Sequence, residues 1–275
     1  MSFVTRFAPS PTGYLHKGHA FSALTAFEAA RAAGGRFLLR IEDIDRTRCR
    51  PDYEAAIFED LAWLGLEWEE PVRRQSEHLG DYEAVLDRLR ERGLLYRCFR
   101  TRKELAEIQS APHGLPEAFR SAPLHPNEEE RMLAEGRPYA WRLSLDAARN
   151  VVGNWSGLTF VEEGKGVIRA QPDLAGDVVL ARKDVGVAYH LAVVVDDALQ
   201  GVTHVIRGED LFEATHIQRL LEALLDLHTP TYRHHRLLLG PDGKRFAKRD
   251  KAETLRDLRA HGVTPTELRA ELGFT

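Results

Sequence analysis

A chain of 275 residues with 43% hydrophobic content holds enough apolar material for a sizeable core, and its length allows one or two domains. The opening Met-Ser-Phe-Val-Thr-Arg lacks the basic-then-apolar layout of a secretory signal, no apolar run nears the ~18 residues of a membrane helix, and two cysteines, Cys49 and Cys98, make no disulfide framework; a cytoplasmic protein is expected. A net charge of −4 argues against a wholesale nucleic-acid coat, yet residues 233–259 carry nine Lys/Arg against four Asp/Glu, a local excess that fits phosphate contact or an ordinary solvated face equally well.

In chain order, Phe3 to Ala8 alternates and is rich in strand-favouring side chains, Ala20 to Ala33 repeats apolar residues at helical spacing until Gly34-Gly35, and Arg36 to Ile41, "RFLLRI", reads as a buried strand. Strand, loop, helix and strand within some forty residues predict a βαβ unit and an α/β fold with a parallel sheet. Residues 98–170 have weaker periodicity and many breakers, notably in "APHGLPEAFRSAPLHPNEEE", and read as an insertion between two halves of one sheet. "VVLAR", "YHLAVVV" and "GVTHVI" are apolar runs suited to strands covered on both faces, and beyond Arg207 the pattern turns helical. The expected organisation is a first half at 1–97, the insertion at 98–170, a second half at 171–240 and a C-terminal helical region at 241–275.

The loop "RFAPSPTGYLHKGH", Arg6 to His19, lies at the carboxyl end of the first strand, where open α/β sheets bind ligands. A helix N-terminus attracts phosphate through its unpaired N–H groups and partial positive charge. His16 and His19 on that first turn can donate to phosphate oxygens, and Gly18 keeps a side chain away from an approaching base. Taken alone, the two histidines fit a surface helix cap just as well, while a zinc role lacks the i, i+4 spacing and the glutamate of the helical zinc motif.

"SPTGYLHKGH" resembles the first signature of class I aminoacyl-tRNA synthetases, and "DGKRFAKRD", Asp242 to Asp250, resembles their second, lysine-bearing signature. "LLRIEDIDRTR" and "YHLAVVVDDALQGVTHVIRGEDL" are similar to glutamyl-tRNA synthetases in particular, with matching order and spacing to about Lys251. The resemblance implies a Rossmann-type parallel sheet with an inserted α/β subdomain and a C-terminal helical region. It implies ATP, with Mg2+, as a substrate that condenses with L-glutamate to an aminoacyl-adenylate before transfer to RNA. It assigns His16, Gly18, His19, Arg245 and Lys248 to ATP. Arg6, Phe7, Ala8, Pro9, Ser10, Glu42, Tyr189 and Arg207 fall to glutamate, with Glu42 taking the ammonium and arginine forks suiting carboxylates. Each has an ordinary alternative: Arg207 paired with Glu209 or Asp210, Glu42 with Arg40 or Arg46, Tyr189 as core.

The chain departs from that pattern in places. Lys17 replaces an apolar residue of the first signature, with little expected effect. Arg245, Phe246 and Ala247 stand where Lys, Leu or Met, and Ser are usual, so the serine hydroxyl is lost and weaker ATP binding is expected. Cys98 is followed by Phe99 and Arg100, with no later cysteine, and His113 and His125 lack convincing spacing around it; no structural zinc is expected, and Cys49 reads as incidental. The chain stops at Thr275 without the helical anticodon-binding domain of the full-length enzymes, and Val193 replaces a usual Asn. It thereby resembles the short paralogues that glutamylate the queuosine in the anticodon loop of tRNA(Asp), a single-stranded partner open to shape and stacking recognition.

Overall fold

The computed structural model describes residues 2–101, 104, 119–182, 186–238 and 253–274. The opening unit is β1 (Val4–Phe7), α1 (Lys17–Ala32) and β2 (Arg36–Ile41), followed by α2 (Pro51–Trp63) and β3 (Glu69–Arg74). β2 lies parallel to both β1 and β3. Helix α1 ends as the breakers predict: Gly34 takes φ 59°, a conformation without steric cost only for glycine, and Gly35 N–H donates back to Ala30 O.

Helix α3 (Leu79–Glu91) leads into β4 (Leu95–Cys98), which pairs with β5 (Ala140–Leu143) in an antiparallel sheet completed by β8 (Val179–Arg182) and β9 (Gly186–Val187). Between them lie α4 (Pro126–Ala134), α5 (Leu145–Val152) and the hairpin of β6 (Thr159–Glu162) with β7 (Gly166–Arg169). "VVLAR" is thus a strand, but of the antiparallel sheet. "YHLAVVV" is not a strand: it opens α6 (Tyr189–Leu199), which is buried at Leu191 to Asp197. A continuous apolar run reads alike for a buried strand and a helix covered on all sides, and here the helix forms.

"GVTHVI" ends in β10 (His204–Gly208), followed by α7 (Phe212–Leu225) and a strand the sequence does not announce, β11 (Thr231–His235), whose Thr-Tyr-Arg-His-His is too polar to read as one. β10, β11 and β6 are parallel neighbours, and Thr203 N–H donates to Val4 O at 2.9 Å, bringing this sheet against the β1 edge of the first. The chain closes with α8 (Leu255–Ala260) and α9 (Pro265–Leu272), each opened by a threonine capping box.

The period of two along the strands decides what faces where. Phe7, Phe37, Leu39, Ile41 and Ile206 pack with α1 in one core, while Val4, Leu38 and Val205 pack with α6 and α7 in the other. Arg6, Arg40, Glu42 and Arg207 share the parity of that second set. Three strand-borne charges, with Glu42 one residue beyond β2, therefore point toward α6 and α7, and each needs a partner there.

Candidate active site

The loop after β1 is pinned to the end of β2: Glu42 N–H donates to Pro9 O and Arg50 N–H to Pro11 O, both at 3.0 Å. This crevice opens into a cavity of about 600 Å3 walled by Arg6, Phe7, Ala8, Pro9, Ser10, His16, Gly18, His19, Glu42, Tyr189 and Arg207. Every site residue named from the sequence is present there except Arg245 and Lys248, which lie outside the described residues, as does His113. The volume suits a small ligand plus a nucleotide. His235, Arg236, Leu237 and Leu238, which follow the unannounced β11, complete a wall.

His16 and His19 do cap the helix, and they line the cavity as well. His16 is the N-cap, its Nδ1 accepting from Gly18 N–H at 3.1 Å, while His19 Nδ1 accepts from His16 N–H at 3.2 Å. An accepting Nδ1 puts the ring proton on Nε2, so each ring is set up as a donor, the role a phosphate oxygen requires. Gly18 matters first to the cap: a Cβ there would come within 2.9 Å of His16 Cε1 and 3.1 Å of Nδ1, before any ligand is met. His16 also bridges to Thr254, and Leu255 N–H donates to Leu15 O at 2.8 Å, so α8 is docked against the same loop.

Arg6 is 4% exposed and gives Nε and Nη2 to the two oxygens of Asp197 on α6, at 2.9 and 3.1 Å. Arg40, fully buried, reaches Asp197 at 2.7 Å, Glu42 at 3.1 Å and Asp196 at 3.7 Å. Asp196 further accepts from Arg73 at 2.7 Å, Gln75 at 2.8 Å and the Tyr82 hydroxyl at 2.9 Å. Burial works against the Asp197 carboxylate, but Arg6 and Arg40 outweigh it and hold its pKa below the ordinary range. Burial wins at Glu42, whose pKa is raised despite Arg40 and Arg6. Of the two alternatives for Glu42, the pair with Arg40 forms. Asp196 and Asp197 were missed in sequence, though two aspartates ending an apolar run and an arginine inside "RFLLRI" are the signal of a buried ion network.

Arg207 differs from these arginines. It is 4% exposed, yet its bonds run to neutral acceptors: Nε to His234 Nε2 at 3.1 Å, and Nη2 to Thr215 Oγ1 and Gln218 Oε1, both at 2.8 Å. Nη1 is buried with no hydrogen-bond partner, and no carboxylate among the described residues, Glu209 and Asp210 included, forms an ion pair with Arg207. Burial and the charge of Arg207 hold two nearby histidines neutral, His190 and His234, each lowered to about 4. A desolvated cation with an idle donor, on a residue that lines a cavity, can take an anion as its partner.

Residues 2–273 match the family of tRNA synthetases class I (E and Q), catalytic domain. The chain belongs to this family of ligases. It is 48% identical to the Glutamyl-Q tRNA(Asp) synthetase of Rhodobacter capsulatus, over 98% of this chain and 100% of the relative, and 43% identical to that of Symbiobacterium thermophilum, over 98% and 85%. These alignments place it among the glutamyl-Q tRNA(Asp) synthetases within the family. A glutamate tRNA ligase from Elizabethkingia meningosepticum, solved in complex with its amino acid, superposes with a TM-score of 0.75 at 30% identity, covering 91% of this chain and 52% of that one. The parallel sheet and its crevice are thus those of a class I synthetase, and ATP is a substrate of the family.

Among the described residues, no group of three or more His, Cys, Asp or Glu is placed to hold a metal ion, and no helix is long and apolar enough to cross a membrane. Cys98 is 7% exposed in the core, and His125 caps α4. Val193 packs in the core at 2% exposure.

Proposed function

We propose that this synthetase condenses L-glutamate with MgATP and passes the glutamyl group to the queuosine of tRNA(Asp) in the cytoplasm. The glutamate α-carboxylate attacks the α-phosphorus, the bond to pyrophosphate breaks, and a hydroxyl of the cyclopentenediol then attacks the acyl carbon as AMP leaves. The observation that carries the glutamate reading is Arg207: a buried guanidinium with no ion-pair partner among the described residues, and with Nη1 idle, matches a side-chain carboxylate.

The other side chains take complementary parts. Glu42, its pKa raised by burial despite its pair with Arg40, gains a second counter-charge when the substrate ammonium arrives, and Tyr189 closes that side. Arg6, held by Asp197 through Nε and Nη2, offers Nη1 as a second cationic edge. His16 and His19 supply Nε2–H donors to the phosphates, from one side of the charge that builds on pyrophosphate. The resemblance gives Arg245 and Lys248, which lie outside the described residues, to the same triphosphate, and magnesium enters with the nucleotide as part of the substrate. Positioning and electrostatics carry the reaction, because the nucleophile belongs to the substrate.

The acceptor reading is supported by the relatives: the chain is 48% identical to the Glutamyl-Q tRNA(Asp) synthetase of Rhodobacter capsulatus and 42% identical to the Glutamate–tRNA ligase of a Synechococcus strain. An adjoining cavity of about 340 Å3 shares Ser10, Thr12, Glu42, Arg48 and Tyr189 with the first and gives an acceptor hydroxyl a path to the acyl carbon. The test is radiolabelled glutamate with tRNA(Asp) containing or lacking queuosine, beside glutamate-dependent ATP–pyrophosphate exchange run without RNA. Label on the queuosine form alone is expected. Exchange without label on either form would remove the acceptor assignment, and label on tRNA(Glu) instead would make the chain the catalytic portion of a glutamate–tRNA ligase.

A further inference from the structure

Glu162 ends β6 at 1% exposure, an acid in the middle of a sheet. Both its oxygens serve one residue of the neighbouring strand: Oε1 accepts His234 N–H at 2.9 Å, and Oε2 lies 2.8 Å from His234 Nδ1. An ionised carboxylate only accepts, so Nδ1 carries the ring proton and Nε2 of the neutral ring is an acceptor. Nε2 faces Arg207 Nε, 3.1 Å away, whose N–H is always a donor. The contact is satisfied in one tautomer alone. On the other edge of the guanidinium, Thr215 and Gln218 take Nη2, which leaves Nη1 as the unoccupied corner.

We propose that Glu162 and His234 are positioning residues for glutamate recognition: Glu162 selects the His234 tautomer, and that tautomer locks the Nε edge of Arg207 so that Nη1 is presented to the side-chain carboxylate. Neither touches substrate, and neither was singled out by motif or composition. The inference rests on the assignment of Arg207 made above. Its chemistry is that of a ring whose second nitrogen is set by the bond the first one makes, a relation familiar from metal-bound histidines.

Glu162→Gln tests it with little change of volume. The carboxamide must set its NH2 against His234 Nδ1 or against the backbone N–H; the first choice moves the ring proton to Nε2, donor against donor with Arg207. In glutamate-dependent ATP–pyrophosphate exchange, the KM for glutamate is expected to rise roughly 10- to 100-fold. The KM for ATP should stay within about twofold and kcat at saturating glutamate within about threefold, since the helix N-terminus is untouched. In a His234→Gln background no tautomer remains to flip, so adding Glu162→Gln should raise the KM by less than about threefold. An unchanged KM for glutamate in Glu162→Gln, with Arg207→Ala strongly impaired, overturns the relay and leaves the Arg207 assignment standing. An unchanged KM in Arg207→Ala removes both. A parallel rise in both KM values with a lowered melting temperature also overturns the relay, because Glu162 would then only hold the sheet together.

Discussion

Replacing Arg207 by methionine separates what this side chain does for binding from what it does for the fold. Methionine has similar reach and no charge. The loss to activity is that of one member of a buried, hydrogen-bonded charge pair, about 2–5 kcal/mol, which is roughly 30- to 5000-fold in kcat/KM for glutamate. Stability should respond differently. Removing a desolvated cation that no carboxylate among the described residues balances favours the fold by a few kcal/mol, and orphaning Gln218 Oε1 costs about 1–3 kcal/mol. The Thr215 hydroxyl, 3.3 Å from His234 Nε2, can take over as donor there. The terms nearly cancel, so the melting temperature should move by no more than about 4 °C. The assay is pyrophosphate exchange over a range of glutamate concentrations, with thermal denaturation of the same preparations. Saturating glutamate should raise the melting temperature of the native protein and leave that of Arg207→Met unchanged. A variant that melts some 10 °C lower while keeping its activity would refute the reasoning, since Arg207 would then be a structural cation.

Arg40→Met should do the opposite. It strips three buried carboxylates, Glu42, Asp196 and Asp197, of a shared cation and should cost about 3–5 kcal/mol in denaturant unfolding; an unchanged midpoint would contradict the network described. Gly18→Ala drives a methyl against the His16 ring and should raise the KM for ATP while sparing that for glutamate, a split that steady-state kinetics would reveal or deny. Asp60 on α2 is buried with neither oxygen hydrogen-bonded, and burial, opposed by Arg259 at 3.6 Å, pushes its pKa up to about 6. The folded state therefore holds a proton that the unfolded state has released, so this group lowers stability as pH rises from about 4 to about 6 and leaves it lowered above that. Asp60→Asn should melt higher than the native protein at pH 8 and lose that advantage near pH 4; equal melting curves at pH 8 would sink the assignment.

The opening βαβ unit was legible because its signals agree. Alternation in β1, the helical repeat of α1, and the positive-φ turn at Gly34 each point to the same element boundaries within a few residues. The second half was harder for a physical reason. A helix buried on all sides loses its polar face, so Leu191 to Val195 carries no period for a reader to find, and α6 looks like a strand. β11 fails in the other direction. Its Tyr232 and His234 are polar because they find partners in the fold, Tyr232 the Glu222 carboxylate on α7 at 2.6 Å and His234 the Glu162 carboxylate on β6, and that pairing is invisible without the fold.

The same distinction governs the site. Residues proposed to meet the ligand were within reach of sequence because they sit on short motifs at element ends, and the cavity gathers all of the described ones. The residues that aim them were not, because their partners come from far along the chain: Arg6 finds Asp197 at a separation of 191 residues, Arg40 finds it at 157, and His234 finds Glu162 at 72. What could have been inferred is that partners exist. Glutamate, aspartate and arginine within apolar runs cannot be buried unpaired without a cost of several kcal/mol, so Arg40, Glu42, Asp196 and Asp197 had to find one another between the sheet and α6. By that logic an arginine on a buried strand that finds only neutral acceptors among the described residues, as Arg207 does, is the electrostatically incomplete position, and for that reason we propose it as the seat of the anionic substrate.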